Sequence, residues 1–337
     1  MSPISATLTF LLCAPLIALA GVRIVALSDR LADRTGLGEA LIGALLLGGT
    51  TSLSGSVLSV TASLQGAPGI AISNCLGGIA AQTAFLGLAD IAYRRANLEH
   101  AAASAENLTQ GTLLLVLLAL PVFAYSMPSA TWAGIHWISP TLLGLYLFGL
   151  RLMSHAHRQP MWHPHRTGDT REDVPDVPPA QERLSRLWLG FGGYAVLLSA
   201  SGFALSEAAQ VLTLEAGLSP TLVGGLFTAV TTSLPELIVA ITAVRRGALN
   251  LAVGNIIGGN CFDVLFLAFS DVAYRSGSLY HAIDQNQLAL LSLTMVMTGV
   301  LLLGLLRRER YGFANIGFES TLVLLLYCVG FTAIQLA

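Results

Sequence analysis

Lysine is absent from this chain: all 17 basic residues are Arg. Charged residues of either sign fill only 11% of the 337 positions, against about 25% in soluble domains. Together with 54% hydrophobic residues and a mean hydropathy of +0.70, this scarcity excludes an ordinary soluble domain. It points to a polytopic membrane protein whose surroundings are the lipid bilayer. The net charge of −2 offers no basic surface, so no nucleic-acid partner is expected. Cys13, Cys75, Cys261 and Cys328 stand singly in apolar runs with no CxxC pair, and read as small buried apolar residues. There is no Gly-rich phosphate loop ending in Lys, so no use of ATP is expected. There is also no HExxH motif and no nucleophile–base arrangement, so the chain is not expected to be an enzyme. The first apolar run lacks a basic flank and continues for about 23 residues, which suits a first span rather than a cleaved signal peptide.

What is present is a series of runs near the ~20 residues a helix needs to cross hydrocarbon. Ten spans are predicted, at about 5–28, 37–63, 67–90, 109–127, 131–151, 185–212, 218–244, 248–271, 286–306 and 312–335. The fold class expected is therefore all-α. Fifteen Arg fall in loops after odd-numbered spans and one, Arg275, after an even span. By the positive-inside rule the odd loops are cytoplasmic and both termini lie outside. The expected setting is the plasma (inner) membrane.

The chain also repeats itself. Shifted by 181, Gly36–Ala101 aligns with Gly217–Ala282 without a gap, with 26 of 66 positions identical. The TTSL at Thr51 meets TTSL at Thr232, Asn74 meets Asn255, Gly77-Gly78 meets Gly258-Gly259, and DIAYR at Asp90 meets DVAYR at Asp271. Shared apolar composition does not place Thr, Asn, Asp, Tyr and His in one register. Five spans per half is an odd number, so the second half enters the membrane upside down, as an inverted repeat of the kind common in transporters. The organisation expected is 1–151 as the first five-helix repeat, 152–184 as a polar, Pro-rich cytoplasmic linker, and 185–337 as the second repeat. The linker's two HxH pairs, His155 with His157 and His163 with His165, read as a solvated loop rather than a metal sensor.

Two acids interrupt the apolar stretch Thr231–Asp271. Ionisable groups at membrane depth are costly and mark function by default. Glu236 lies in TTSLPE, where Pro235 cannot donate an amide hydrogen and its ring opposes the carbonyl of Thr231. Asp263 follows Asn255 and the Gly258-Gly259 pair. Breaks are expected at Thr231–Glu236 and Asn255–Asp263, with the glycine pair letting span 7 pack on span 8. Thr232 and Ser233 add hydroxyl oxygens, although hydroxyls in helices often only satisfy their own backbone. Carboxylate, hydroxyl and carbonyl oxygens suit hard cations such as Na⁺, Ca²⁺ or Mg²⁺. Elsewhere, Asp90 and Asp271 are expected to cap helices or pair with Arg94 and Arg275. Glu207 is placed at an outer entrance or at the interface, and Glu319 at the interface.

The run GLFTAVTTSLPELIVAITAVRRGALNLAVGNIIGGN resembles the alpha repeat of the sodium/calcium exchanger family, within the cation/calcium antiporter superfamily. The first repeat is a degenerate copy. The resemblance implies a ten-span secondary antiporter moving Ca²⁺ or another cation against Na⁺ or H⁺ by alternating access, with the cations as ligands and no cofactor. The ligand set it implies is Thr232, Ser233, Glu236, Asn255 and Asp263 from the second repeat and Thr51, Ser52, Asn74 and Gln82 from the first. Gly55 stands where the family's first-repeat glutamate is expected, Ser54 at its proline and Gln82 at an acidic or amide position. The glycine pairs replace Gly-Ser. Two carboxylates balance one divalent or two monovalent ions, which sets this chain apart from a site with an acid in each half. A channel or an ion-binding membrane sensor that keeps the site without coupled exchange is the alternative.

Overall fold

In a computed structural model, residues 1–35, 49–93, 96–102, 104–158, 165, 184–312 and 316–336 are described. The described residues are helical apart from one small hairpin and the connecting turns. The helices are α1 (Pro3–Thr35), α2 (Leu53–Leu64), α3 (Pro68–Ala92), the single turn α4 (Leu98–Ala101), α5 (Ala105–Ser126), α6 (Ile138–Arg158) and α7 (Leu184–Leu214). They continue with α8 (Pro220–Thr232), α9 (Leu234–Arg246), α10 (Leu249–Asp263), α11 (Leu265–Ala273), α12 (Gln285–Arg307) and α13 (Phe318–Leu336). Among the described residues, seven stretches are long and apolar enough to cross a membrane, and the pair α8–α9, bent by 44°, makes an eighth. Two more apolar helices are shorter: α2 and the first part of α6. The expected second span begins outside the described residues, and α2 is its second part.

Local chemistry sets the boundaries. Ser104 caps α5 by accepting from Asn107 N, and Ser219 caps α8 by accepting from Leu222 N with Pro220 just inside. Asp284 and Gln287 form a reciprocal capping box on α12. Gly247, at φ 85°, ends α9 in the left-handed region. The fifth span starts later than the expected 131, because Thr131–Trp132 pairs with Ile135–His136 across Ala133 and Gly134, both at positive φ. The helix of the fifth span, α6, runs on to Arg158. Of the two HxH pairs, His163 lies outside the described residues, as do the side chains of His155 and His157. His165 is exposed.

One of the two expected breaks is found within Thr231–Glu236, and the other is displaced. The first falls at Ser233, with Pro235 in the first turn of α9 where a missing N–H costs little. The second is not at Asn255–Asp263: α10 is continuous through both, and the helix is interrupted at Val264. Amide–carbonyl bonding survives at Asn255 and the glycines because Gly in a packed helix loosens it without removing a donor.

Helix α3 is the central element, with nearly every residue from Ile70 to Asp90 buried. It packs on α2, α9, α10, α12 and on a π-helical stretch of α8, Val223–Thr228. Small residues make this possible: a Cβ on Gly77 would overlap the backbone of Gly225, and one on Gly224 would come within 2.7 Å of the Ile70 carbonyl oxygen. The Gly258-Gly259 pair does not face span 7 as expected. Gly258 looks at Gln110 of α5, 3.7 Å from a built Cβ, and Gly259 at Gln82 of α3, 3.4 Å away.

The contacts between the halves carry the sequence repeat into space. Asp90 accepts from Leu98 N at 2.7 Å and from Gly317 N at 2.9 Å. Asp271 accepts from Leu279 N at 3.0 Å and from His136 N at 2.8 Å. A shift of 181 turns Asp90 into Asp271 and Leu98 into Leu279, and turns Gly317 back into His136. Likewise His100 Nδ1 meets the Arg308 carbonyl at 2.6 Å, and His281 Nε2 the Met127 carbonyl at 2.8 Å. Each half does to the other what is done to it, which is the contact pattern of an isologous, two-fold relation. Both aspartates therefore cap and tie helices, and Asp271 makes no ion pair with Arg275.

Candidate cation site

The same exchange of partners runs through the centre of the molecule. Asp263, at the end of α10, accepts from the Ser52 hydroxyl on Oδ1 and from Gln82 Nε2 on Oδ2, the latter at 2.6 Å. Gln82 Nε2 also donates to Ser233 Oγ at 3.2 Å. Ser52 and Ser233 are repeat mates, as are Gln82 and Asp263. The two serines mark the helix breaks of their halves, at the N-caps of α2 and α9. A hydroxyl there is released from helical geometry and can turn toward the other half.

Glu236 lies one turn into α9, 1% exposed. The Thr51 hydroxyl bonds its carboxyl, and Asp263 is its charged neighbour. Its Oε2 is buried without a partner, as is Gln82 Oε1. Thr232 is buried and bonds the Ala229 carbonyl at 3.3 Å. It lies 3.6 Å from where a Gly55 Cβ would be. So Thr51, Ser52, Gln82, Thr232, Ser233, Glu236 and Asp263 converge on one buried polar centre, drawn from the two helix breaks and from the middle of α3.

Two residues of the expected set are placed differently. Asn74 serves as a tie: it donates to the Gly55 carbonyl at 3.3 Å and Ser59 Oγ at 3.0 Å, and accepts from Thr228 Oγ1 at 2.7 Å. It holds α3 to α2 and to the π-helical stretch beside the centre. Asn255 bonds none of the others, and its Nδ2 is buried without a partner. Sequence reasoning passed over two participants. Asn260 Nδ2 bonds Thr83 Oγ1 at 3.1 Å, next to Gln82, and its Oδ1 is unpartnered. Its repeat mate is Ile79, so the duplication gave no signal for it. The ring of Phe266 lies where a side chain at Gly55 would begin, with Cε2 2.9 Å and Cζ 3.3 Å from a built Cβ. The volume facing Glu236 across the two-fold relation is thus aromatic.

Chemically, the centre offers two carboxylates, three or more hydroxyls and two amide oxygens. Among the described residues no cation is paired with either acid, and no group of three His, Cys, Asp or Glu side chains has metal-holding geometry. Oxygen donors of this kind suit hard cations, and Ser52 and Gln82 hold the Asp263 carboxylate in place. Glu207 lies apart: it accepts from Gln65 between α2 and α3, and Gln65 accepts from Gln210 and Ser206.

Fold and centre together define a membrane-embedded protein with a buried polar centre set at the helix interruptions of two repeats. The family model described as sodium/calcium exchanger protein matches residues 5–154 and 186–336, and the chain belongs to that family. Inner membrane protein YrbG of Escherichia coli (strain K12) is 29% identical over 247 residues, 73% of this chain and 72% of its own. Sodium/calcium exchanger MaX1 of Methanosarcina acetivorans is 31% identical over 123 residues, 35% of this chain and 31% of its own. Among solved structures, the sodium-calcium exchanger NCX_Mj, soaked with Na⁺ and Sr²⁺, superposes at a TM-score of 0.62 and 22% identity, covering 98% of this chain and 99% of its own. The H⁺/Ca²⁺ exchanger CAX does so at 0.70 and 17%, covering 98% and 85%.

Proposed function

We propose that the protein is a secondary-active cation antiporter of the plasma (inner) membrane, exchanging Ca²⁺ or another hard cation for Na⁺ or H⁺ by alternating access. The observation that carries this is the pair of unpartnered buried oxygens, Glu236 Oε2 and Gln82 Oε1, set among Ser52, Ser233 and Asp263 where the two halves meet. A buried oxygen without a donor asks for a proton or a cation. The ligand set is Thr51, Ser52, Gln82, Thr232, Ser233, Glu236 and Asp263, with Asn74 tying the helices beside it. The protein is arranged as ten spans in two inverted five-helix repeats, 1–151 and 185–337, with both termini outside and 152–184 cytoplasmic. Such an arrangement exposes the centre to one side and then the other by moving one helix bundle against the other. The names of the similar exchangers are consistent with Ca²⁺ as cargo and with either Na⁺ or H⁺ as counter-ion.

The test is uptake into proteoliposomes. Ca²⁺ should enter only when Na⁺ or a pH gradient of the right sense is supplied, and Glu236→Gln should abolish uptake while the purified protein stays folded. Uptake without any counter-ion would identify a channel instead, and near-normal transport by the Gln variant would remove Glu236 from the site.

A further inference from the structure

A second cluster of carboxyls lies outside that centre, at the Arg-rich end of the molecule. Asp90 closes α3, Glu99 lies on α4 and Glu319 in the first turn of α13. Glu319 was expected at the membrane interface, yet it is 1% exposed, as is Glu99, and Asp90 is fully buried. Asp90 is satisfied by two backbone amides. The other two are not: Glu99 Oε2 and both oxygens of Glu319 are buried with no partner. Among the described residues Glu99 Oε1 accepts only from Ser320 Oγ, at 3.4 Å, and the two carboxyls are close neighbours. Two carboxylates have four acceptor oxygens and no donor, so a hydrogen bond between them forms only when one of them carries a proton.

The two-fold relation supplies an independent comparison. The mate of Asp90 is Asp271, which gathers the same kind of amide bonds at the opposite end. The mate of Ser320 is Ser139, which donates to Asp271 Oδ2 at 2.7 Å. The mate of Glu99 is Tyr280, whose hydroxyl meets Ser139 Oγ at 2.9 Å, and the mate of Glu319 is Ile138. The same knot is built there with a satisfied phenol and an aliphatic side chain. The fold therefore does not require carboxyls at 99 and 319.

Space around the pair suits a proton better than a metal ion. A Cβ on Gly304 or on Gly317 would overlap the Glu319 side chain, so α12 and the entry to α13 close directly over it. α10 and α12 meet α4 through Leu249, Val253, Leu301 and Leu305. The charged and titratable neighbours are Asp90 from α3, His100 from α4 itself, and Arg307, Arg308 and Glu309 at the end of α12. Arg308 Nη2 donates to the His100 carbonyl at 2.9 Å, Arg307 pairs with Glu309 at 3.2 Å, and no ion pair reaches Asp90, Glu99 or Glu319 among the described residues. Two ionised carboxylates in that enclosure would carry a large desolvation penalty without a counter-charge.

We propose that Glu99 and Glu319 form a proton-binding site, separate from the cation centre, in which one shared proton clamps α4 to α13 at the Arg-rich end. Burial, reinforced by the charges of Asp90 and Glu319, holds Glu99 well above the usual carboxylate range. The sign follows: the folded state keeps a proton that the unfolded chain has released. The clamp's stabilisation is complete below the ordinary carboxylate pKa and is lost as pH rises through the raised folded value. The Asp271–Tyr280 knot lacks the pair and stays closed across that range. Rising pH therefore loosens one end of the protein only.

The experiment uses full-length protein in lipid, with infrared difference spectroscopy of protonated carboxyl groups and hydrogen exchange at the amides of 98–101 and 317–322. In the wild type, a protonated-carboxyl band that persists above the ordinary Glu pKa should be lost on alkalinisation, and protection factors at those amides should fall about tenfold or more. Glu319→Ile should fold, since Ile138 holds the mate position, should shift that band away from the frequency of a proton shared between two carboxyls, and should show flat protection with pH. Glu319→Gln, which donates permanently to Glu99, should behave as a clamp locked shut. The proposal is overturned if wild-type protection is as flat as in Glu319→Gln, or if the band is the same in wild type and Glu319→Ile. It is also overturned if Na⁺ or Ca²⁺ at fixed pH removes that band in a Glu236→Gln background, which would make the pair a cation site. Where neither variant is stable, the wild-type band and its amide protection must still titrate together, and separate midpoints reject the clamp.

Discussion

The most informative perturbation of the cation centre is to restore the missing acid of the first repeat. Gly55→Glu places a carboxylate at the mate position of Glu236, but its Cβ would begin 2.9 Å from Phe266 Cε2. That is far inside normal contact, and the ring belongs to the buried core around Tyr146 and Phe262. Overpacking of this kind costs about 1–3 kcal/mol. Phe266→Ala alone leaves a cavity and costs about 3–5 kcal/mol. If the ring occupies the space of the missing side chain, the double variant should be more stable than the sum of the two, by a coupling of about 0.5–3 kcal/mol. Denaturation of all four proteins in one detergent measures the cycle, and proteoliposome uptake under Na⁺ and pH gradients measures the consequence. The double variant should change ion selectivity or Na⁺ dependence, because a third carboxylate then faces Glu236 and Asp263. Strict additivity would mean that Phe266 does not fill that volume. An unchanged ion profile would place Gly55 outside the site.

Gln82→Leu should weaken cation binding tenfold or more while leaving the protein folded, since it removes both the Oε1 ligand and the bond to Asp263 at 2.6 Å. Isothermal titration with Ca²⁺ checks it, and an unchanged affinity excludes Gln82 as a ligand. Asp271→Ala should destabilise by about 3 kcal/mol or more, because the Leu279 and His136 amides and the Ser139 hydroxyl lose a charged acceptor together; a loss within 1 kcal/mol in denaturant melts contradicts that role. A reporter active only outside the membrane should work when fused after Ala337 and be silent when inserted within 155–180, and the reverse result overturns the orientation.

Composition and register made the membrane class and the duplication legible without any coordinates. Hydrocarbon forces near-continuous apolar runs, and a shared ancestor leaves Thr, Asn, Asp and Tyr in one register at an offset of 181. The two acids were legible because charge at membrane depth stands out against apolar neighbours. Only the tertiary structure decided what those residues meet. Ser52 and Asp263 are 211 positions apart, Gln82 and Ser233 151, and no local pattern records a bond made across the two-fold relation. For the same reason the glycine pair at 258–259 turned toward Gln110 and Gln82 rather than span 7, and Asn74 became a tie between helices. Phe266 and Glu319 are the clearest cases. An aromatic ring in an apolar run and a glutamate near a span end are unremarkable as sequence; one fills the place of a missing acid and the other is sealed beneath Gly304. Those outcomes depend on which small residues let helices approach, a property of two packed surfaces together and of neither stretch alone.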